Sequence, residues 1–285
     1  MRFSVIVPAY NAAKTLPALL ASLSLQSFQD FELVLVDDCS RDMTARIAES
    51  YPCRLLRMTK NRGPACCRNE GAQAALGEIL VFTDSDCEVA PNWLDRMNQH
   101  FRNGDVGAMM GRLVLRPSTF LGDSISALGF PAGGSIGFDK IWKVDKEGLT
   151  DSLSSCNCAV RKSLFWKIGG FDESFPYAGG EDSLFAYHLK KAGCRIRFCP
   201  DVVAYHGARD SLKSFLRWQF RRGQSSYIFS TKVRERGNYM ALRLWSTANI
   251  LKSSFTDRKF PLILILLGLS VLVQMAGFFY QRNER

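Results

Sequence analysis

The segment Phe3–Asn11 reads FSVIVPAYN, a short apolar run that passes directly into polar residues. Two later segments repeat this form, because Leu33–Val36 is followed by DDCS and Ile79–Phe82 is followed by TDSD. Continuous apolar runs of four or five residues are typical of strands buried on both faces of a sheet. The three runs therefore predict three buried strands, each ending in polar residues.

Helical patterns separate the three runs. Leucines recur at helical spacing over 16–23, beside Thr15 and Pro17, which suit a helix start. Ala65–Leu76 predicts a second helix that ends at Gly77. This alternation of strands and helices predicts an α/β fold with a mostly parallel sheet and right-handed crossovers.

The later part of the chain mixes irregular and regular patterns. Residues 104–150 are Gly-rich and show little periodicity, so they form either a mobile loop over a site or a peripheral connection. Beyond them, the sequence predicts a strand over Val202–Tyr205 and helices over Asp182–Ala192, Ser211–Phe220 and Tyr239–Phe255. Gly193 is expected to end the first of these helices.

The polar residues after each apolar run are expected to meet at one edge of the sheet, because ligands bind outside the carboxyl ends of parallel strands. Four carboxylates gathered there would repel one another unless a cation or hydrogen-bond donors satisfied them. Each group alone also fits an ordinary turn or helix cap, since Asp and Asn favour both. Three such groups at one edge favour a binding site.

Asp84 and Asp86 are the sharpest of these signals. Residues two apart on an extended chain point their side chains to the same face. Two carboxylates at a strand end suit Mg²⁺ or Mn²⁺, with phosphate oxygens and water completing the coordination. The sequence therefore predicts a divalent-metal site at the end of the third strand.

The composition excludes several classes of protein. A chain of 285 residues with 47% hydrophobic and 22% charged residues is not disordered, collagen-like or a coiled coil, and it is long enough to bury a core. Its nine cysteines and three histidines lack the spacing of a zinc site, so reduced thiols in a cytosolic compartment are expected. Phe3–Val7 is too short for the apolar region of a signal peptide.

The net charge of +10 is concentrated near the C-terminal end. Residues 1–206 hold 23 Lys/Arg and 23 Asp/Glu, whereas residues 207–260 hold 12 Lys/Arg and 3 Asp/Glu. A basic segment beside an apolar run predicts contact with a membrane surface. A nucleic-acid partner is not expected, because no nucleic-acid-binding motif accompanies the charge.

Phe260–Tyr280 is an apolar stretch of 21 residues. As a helix it would be about 31 Å long, which is enough to cross a bilayer core, whereas core helices of soluble proteins usually have nearer to about 10–14 apolar residues. We predict a single transmembrane helix over 260–280, preceded by a basic, amphipathic, membrane-proximal segment over 211–259. Arg258 and Lys259 before the helix predict that the rest of the chain lies in the cytoplasm.

Six short motifs occur in an order and at spacings that resemble family 2 glycosyltransferases of the GT-A fold. They are VIVPAYN at 5–11, VDDCSRD at 36–42, NRG at 61–63 with Arg68-Asn69, FTDSD at 82–86, GGFDE at 169–173 and GED at 180–182. The resemblance covers about residues 1–210, which are expected to form a GT-A catalytic domain. Each motif is common alone, but six in this order are specific.

The resemblance implies a role for each matched residue. Asp182 matches the catalytic base, with Glu181 beside it, although an acidic pair that opens a helix also fits ordinary capping. Asp84 and Asp86 match the metal-binding pair, with Asp86 as the more direct ligand. The other matched residues are expected to hold the donor: Pro8, Tyr10 and Asp38 at the base and ribose, and Asn61 and Arg68 at the nucleotide and diphosphate.

Further features extend the resemblance. His206 matches a position near the metal or diphosphate, although a lone His after a strand also fits a structural role, and Arg209 is a second candidate beside the diphosphate. Trp218–Arg222 reads WQFRR, which differs in order and spacing from the QxxRW motif of processive relatives, so processive polymerisation is not expected. Cys156–Arg161 lies near the acceptor in the family, and its two cysteines depart from the usual pattern.

These motifs imply an inverting, metal-dependent transferase. It would move a sugar from a UDP-type nucleotide sugar to a lipid-linked or saccharide acceptor at the cytoplasmic face of the cell membrane. Two alternatives stay open. In the first, TDSD at 83–86 holds the nucleophile of a metal-dependent aspartyl phosphatase, although Cys87-Glu88 does not fit that motif. The chain could also be a catalytically idle, membrane-tethered binding module.

Overall fold

The structure is a computed structural model that describes residues 1–102, 106–233 and 237–284. One mixed sheet of nine strands forms its centre. The strands are β1 (Phe3–Ala9), β2 (Phe31–Asp37), β3 (Arg54–Arg57), β4 (Ile79–Thr83), β5 (Cys87–Val89), β6 (Ala108–Leu115), β7 (Leu149–Thr150), β8 (Asn157–Arg161) and β9 (Ile196–His206).

Helices follow most of the strands and form the C-terminal part of the described chain. They are α1 (Leu16–Ser24), α2 (Thr44–Glu49), α3 (Pro64–Ala74), α4 (Trp93–Arg102), α5 (Phe120–Ser126), α6 (Phe138–Ile141), α7 (Lys162–Lys167), α8 (Glu181–Lys191), α9 (Leu212–Lys232), α10 (Gly237–Ser254) and α11 (Phe260–Asn283).

The strand order in the sheet is β3-β2-β1-β4-β8-β6-β9-β5, and β7 pairs with β9. The first four strands run parallel, as the alternation of strands and helices predicted. The sheet becomes mixed where β8 joins β4 antiparallel, and β6 then pairs antiparallel with β8 and parallel with β9. The register sets Ala9 opposite Asp37 and Ile6 opposite Phe82, so the carboxyl ends of β1, β2 and β4 lie together.

The apolar runs are buried because the sheet supplies the centre of the main core. Val5, Val34 and Val81 are fully buried, and the leucines of α1 pack into the same cluster. The helix predicted over Ala65–Leu76 ends earlier, at Ala74. Gly77 passes so close to β1 that a Cβ would lie 2.6 Å from the backbone of Ser4, so the chain has already left the helix there.

Residues 104–150 are more regular than their composition indicated, and residues 104 and 105 lie outside the described residues. The segment contains β6, α5, α6 and β7, and β6 is a central strand. Gly111 and Arg112 interrupt the apolar pattern of β6, and the pairing of β6 with β9 shifts register between these two residues. The predicted helix beginning at Asp182 is confirmed as α8, with Gly193 at φ +76° after its end.

The C-terminal helices pack onto the sheet domain through a second core. This core joins α5, α6, α9, α10 and α11 through Ile125, Ile141, Phe215, Ile250, Ile263 and Leu266, among others. The helix predicted over Ser211–Phe220 extends to Lys232. Within the described residues, α11 alone is long and apolar enough to cross a membrane.

Candidate functional site

A cleft of about 2210 Å³ opens along the carboxyl ends of β1, β2 and β4. The start of α8, the end of β9, and parts of α9 and α11 form its other walls. Asn61 is not among its lining residues, but the other predicted site residues are: Pro8, Tyr10, Asp38, Arg68, Asp84, Asp86, Asp182 and His206. The structure thus brings together nearly all the residues that the motifs singled out.

Asp84 and Asp86 do not share one face, as an extended chain would have required. They lie in a tight turn between β4 and β5, in which the N–H of Cys87 donates to the carbonyl of Asp84 at 3.0 Å. Asp84 pairs with Arg68, whereas Asp86 pairs with His206. The turn therefore gives the two carboxylates different partners.

Asp86 and His206 form a close pair in the cleft. Oδ1 of Asp86 lies 3.3 Å from Nε2 of His206, and Nδ1 of His206 lies 2.6 Å from the carbonyl oxygen of Gly207. Burial alone would lower the pKa of His206, but its hydrogen bond to Asp86 and the carboxylate charge raise it to about 9. The same contact holds the pKa of Asp86 below its usual value despite burial.

This pair fits a divalent cation. With Nδ1 donating to a backbone carbonyl, Nε2 is the atom left to bind a metal, and such outer contacts commonly orient histidine ligands. Cys87 lies in the same group, but burial raises the pKa of its thiol well above the usual value and Sγ donates to the carbonyl of Cys156. The donor set is therefore an oxygen and an imidazole nitrogen, with Asp84 at the other end of the turn.

Arg68, which the resemblance places at the nucleotide and diphosphate, pairs with two carboxylates at the cleft. It is 1% exposed, and its Nη1 and Nη2 donate to Oε1 of Glu181 at 2.9 Å and Oδ1 of Asp84 at 2.8 Å. Both terminal nitrogens of the guanidinium therefore donate to carboxylates. Arg suits this arrangement better than Lys, because its planar guanidinium holds several N–H donors in fixed directions. Arg68 links the end of β4 to the start of α8.

Glu181 and Asp182 open α8, but their surroundings differ. Glu181 is buried between Arg68 and the N–H of Gly179, and burial together with the charge of Asp182 raises its pKa to about 7. Asp182 is half-buried in the cleft wall, and burial raises its pKa as well. Its described hydrogen bonds, from Gly180 and Ser183, all fall on Oδ1.

Asp38 is buried and holds the loop that precedes α3. Its two carboxylate oxygens accept the N–H groups of Arg62 at 2.7 Å and Gly63 at 2.8 Å. The Asn61 amide donates to the Asp38 carbonyl at 3.2 Å, so Asn61 supports this loop from outside the cleft. Each carboxylate oxygen keeps further acceptor capacity for a ligand.

A stacked group of cations and aromatic rings lines the wall formed by α9. The guanidinium of Arg222 lies 3.6 Å from the centre of the Phe130 ring and 5.1 Å from that of Trp218. The guanidinium of Arg209 lies 5.0 Å from the centre of the Trp218 ring. The sequence does not predict Phe130 at the site, because its place depends on its packing against Trp218 and Arg222 of α9.

The architecture and the cleft define a nucleotide-sugar transferase fold of the GT-A type. The sequence model of the family "Glycosyl transferase family 2" matches residues 4–169, more than half of the chain. The chain therefore belongs to glycosyl transferase family 2. This membership does not favour the aspartyl-phosphatase alternative.

Individual proteins agree with this assignment. The chain is 29% identical over 237 residues to a chondroitin synthase of Escherichia coli, covering 71% of this chain and 34% of the relative, so it spans about a third of that protein. Two solved structures share the fold. One is Staphylococcus aureus TarS in complex with UDP-GlcNAc, with a TM-score of 0.60 and 19% identity, covering 100% of this chain and 93% of that chain. The other is the mannosyltransferase PcManGT of Pyrobaculum calidifontis in complex with GDP-Man and Mn²⁺, with a TM-score of 0.59 and 23% identity, covering 99% of this chain and 83% of that chain.

Proposed function

We propose that this protein transfers a sugar, with inversion, from a nucleoside diphosphate sugar to a hydroxyl or phosphate of a lipid-linked or saccharide acceptor at the cytoplasmic face of the membrane. The observation that carries the proposal is that Asp38, Asp86 and Asp182 line one cleft at the carboxyl edge of the sheet. Residues 1–210 would form the catalytic domain, 211–259 a basic membrane-proximal segment and 260–280 the membrane-contacting helix.

In this proposal Asp182 is the general base. Inversion needs one group that takes the proton of the acceptor as it attacks, and a carboxylate with a raised pKa and an oxygen outside its described hydrogen bonds suits that role. A carboxylate that only caps α8 would also accept the N–H of Gly180, as Asp182 does. Activity measurements separate the two.

The donor would lie along the strand ends. Pro8, Tyr10 and Asp38 would contact the base and ribose. A uridine nucleotide would be the preferred donor, because the Asp38 carboxylate could accept a hydrogen bond from the N–H of a uracil-like base. Asp86 and His206, with Asp84, would hold Mg²⁺ or Mn²⁺. When bound, this cation would neutralise charge on the diphosphate leaving group, so no protein acid is required.

The first experiment measures donor binding. Thermal unfolding of the full chain is followed with UDP-sugars in the presence and absence of Mn²⁺, because a bound ligand stabilises the folded state by mass action. We expect a rise in melting temperature that requires both the UDP-sugar and Mn²⁺. Asp86→Ala should abolish this rise. The matched control Asp139→Asn alters an exposed carboxylate of the cleft wall and keeps the shift.

The second experiment measures turnover as UDP release. Asp182→Asn is expected to lower turnover by about 10²-fold or more while donor binding is retained. Donor binding without turnover in the wild-type protein, over a broad panel of acceptors, would instead support the idle binding module. Full activity in both Asp86→Ala and Asp182→Asn would contradict the site assignment.

A further inference from the structure

α11 contacts the rest of the chain along one side throughout its length. Near its start, Ile263 and Leu266 pack with Phe215 of α9 in one buried cluster. Towards its end, Gly277 lies against α9 so closely that a Cβ would come within 2.1 Å of the carbonyl oxygen of Phe220. Because these contacts occur in the same order along both helices, α9 and α11 lie side by side and parallel.

Polar residues of α11 also face α9. Nε2 of Gln274 donates to Oε1 of Gln219 at 2.7 Å, and Nε2 of Gln224 donates to Oε1 of Gln281 at 3.0 Å. These hydrogen bonds give the side-chain amides of α11 polar partners, which lipid acyl chains could not provide. α9 itself borders the cleft and carries five cations along its length: Lys213, Arg217, Arg221, Arg222 and Lys232.

The opposite side of α11 is apolar and uncovered. Six residues form this apolar stripe and are 43% to 66% exposed: Leu264, Ile265, Val271, Leu272, Met275 and Phe279. With 3.6 residues per turn they fall within an arc of about 120° on the helix surface. A continuous stripe of this length marks a binding surface.

We propose that α11 lies in the plane of an anionic lipid bilayer, with the apolar stripe among the acyl chains and α9 on the side facing away. This arrangement replaces the single membrane span predicted from the length of the apolar run. It does not depend on the proposed activity, since it concerns only how the chain contacts the membrane.

The packing of α9 argues against a span. Lipid surrounds a single spanning helix on all sides, so α9 would have to enter the hydrocarbon with its five cations or separate from α11. The first outcome is costly for charged groups, and the second leaves Gln274 and Gln281 without their partners. An in-plane helix keeps every one of these contacts.

The charges around the stripe favour anionic lipid as the occupant. Exposed cations stand near both ends of α11, with Arg258 before it and Arg282 in its last turn. An apolar face flanked by cations is the pattern of helices that lie at the surface of anionic membranes.

The in-plane position also relates the membrane to the cleft. Met275 and Phe279 belong both to the apolar stripe and to the lining of the cleft. The cleft would therefore open directly at the lipid surface.

Co-sedimentation of the full chain with vesicles tests the proposal. We expect binding to phosphatidylcholine vesicles that contain phosphatidylglycerol, and weaker binding to phosphatidylcholine alone. Leu272→Glu places a charge at the most exposed position of the stripe and should weaken binding at least about tenfold. The control Leu25→Glu alters an equally exposed leucine after α1 and should bind like the wild type.

Two results would overturn the proposal at this stage. One is equal vesicle binding by Leu272→Glu and the wild type. The other is a wild-type dimer that does not bind vesicles and that Leu272→Glu converts to a monomer, which would assign the stripe to a second copy of the chain.

The side of the membrane reached by each end separates a lying helix from a spanning one. Protease-cleavable tags are placed before Met1 and after Arg285, and sealed membrane vesicles that carry the expressed chain are treated with protease. We expect both tags to be cleaved, or both protected, together. Cleavage of one tag only, with the other cleaved after detergent is added, would show a span and refute the in-plane arrangement.

Discussion

Replacing Arg68 with methionine tests the charge balance of the site most directly. The side chain is 1% exposed and bridges Glu181, also 1% exposed, and Asp84, which is 30% exposed. Removal of one partner from a buried ion pair leaves an uncompensated charge, so Arg68→Met should lower the free energy of unfolding by about 3–5 kcal/mol. Urea denaturation in mild detergent, followed by tryptophan fluorescence, measures this loss.

The control is an ion pair of the same type at the surface. Arg57 and Glu49 pair with both side chains more than half exposed, so Arg57→Met should cost only about 0–1 kcal/mol. The double variant Arg68→Met/Glu181→Gln removes the stranded carboxylate and should recover more than about 1 kcal/mol of the loss. If Arg68→Met costs no more than Arg57→Met, the bridge does not stabilise the fold and the reasoning fails.

Two further predictions concern neighbouring carboxylates. Asp38→Asn presents an amide donor to one of the backbone N–H groups of Arg62 and Gly63. It should lower the free energy of unfolding, measured by urea denaturation, by about 1–3 kcal/mol. An unchanged free energy of unfolding would show that other contacts hold this loop. The pKa of Glu181 is raised from 4.5 to about 7, so the folded state binds more protons in that window and stability should fall as pH rises through it. Glu181→Gln should reduce this fall by on the order of 3 kcal/mol in melts at several pH values, and an unchanged pH profile would refute the assignment.

The parts of the structure that the sequence predicts well are those set by local pattern. The strands that begin at Phe3 and Ile79 are mostly apolar, and the site residues that follow them lie at the sheet edge. The turn that holds Asp84 and Asp86 shows the limit of this reasoning, because a two-residue spacing indicates a shared face only if the chain stays extended. At Asp84 the chain enters a turn instead of staying extended.

Contacts between distant residues could not be predicted from pattern. Arg68 and Glu181 are 113 positions apart, and nothing near Arg68 indicates that its fork is used on carboxylates instead of phosphate. The same holds for α11, whose apolar run predicts a membrane span by length alone. Its neighbour α9 is polar and basic, and only the packing shows that the two helices are joined by hydrogen bonds.

The distribution of counter-charges in the cleft distinguishes the two acids that open α8. Arg68 neutralises Glu181, whereas the described contacts of Asp182 come from backbone N–H groups and the Ser183 hydroxyl. Both carboxylate oxygens of Glu181 already accept hydrogen bonds, one from Arg68 and one from the N–H of Gly179, and the side chain is 1% exposed. We therefore expect Glu181 to act as a positioning residue and Asp182 as the base. Asp182→Asn should therefore lower turnover far more than it lowers stability, and Glu181→Gln should do the reverse. Equal losses of turnover with unchanged stability in both variants would show that the ion pair does not divide their roles.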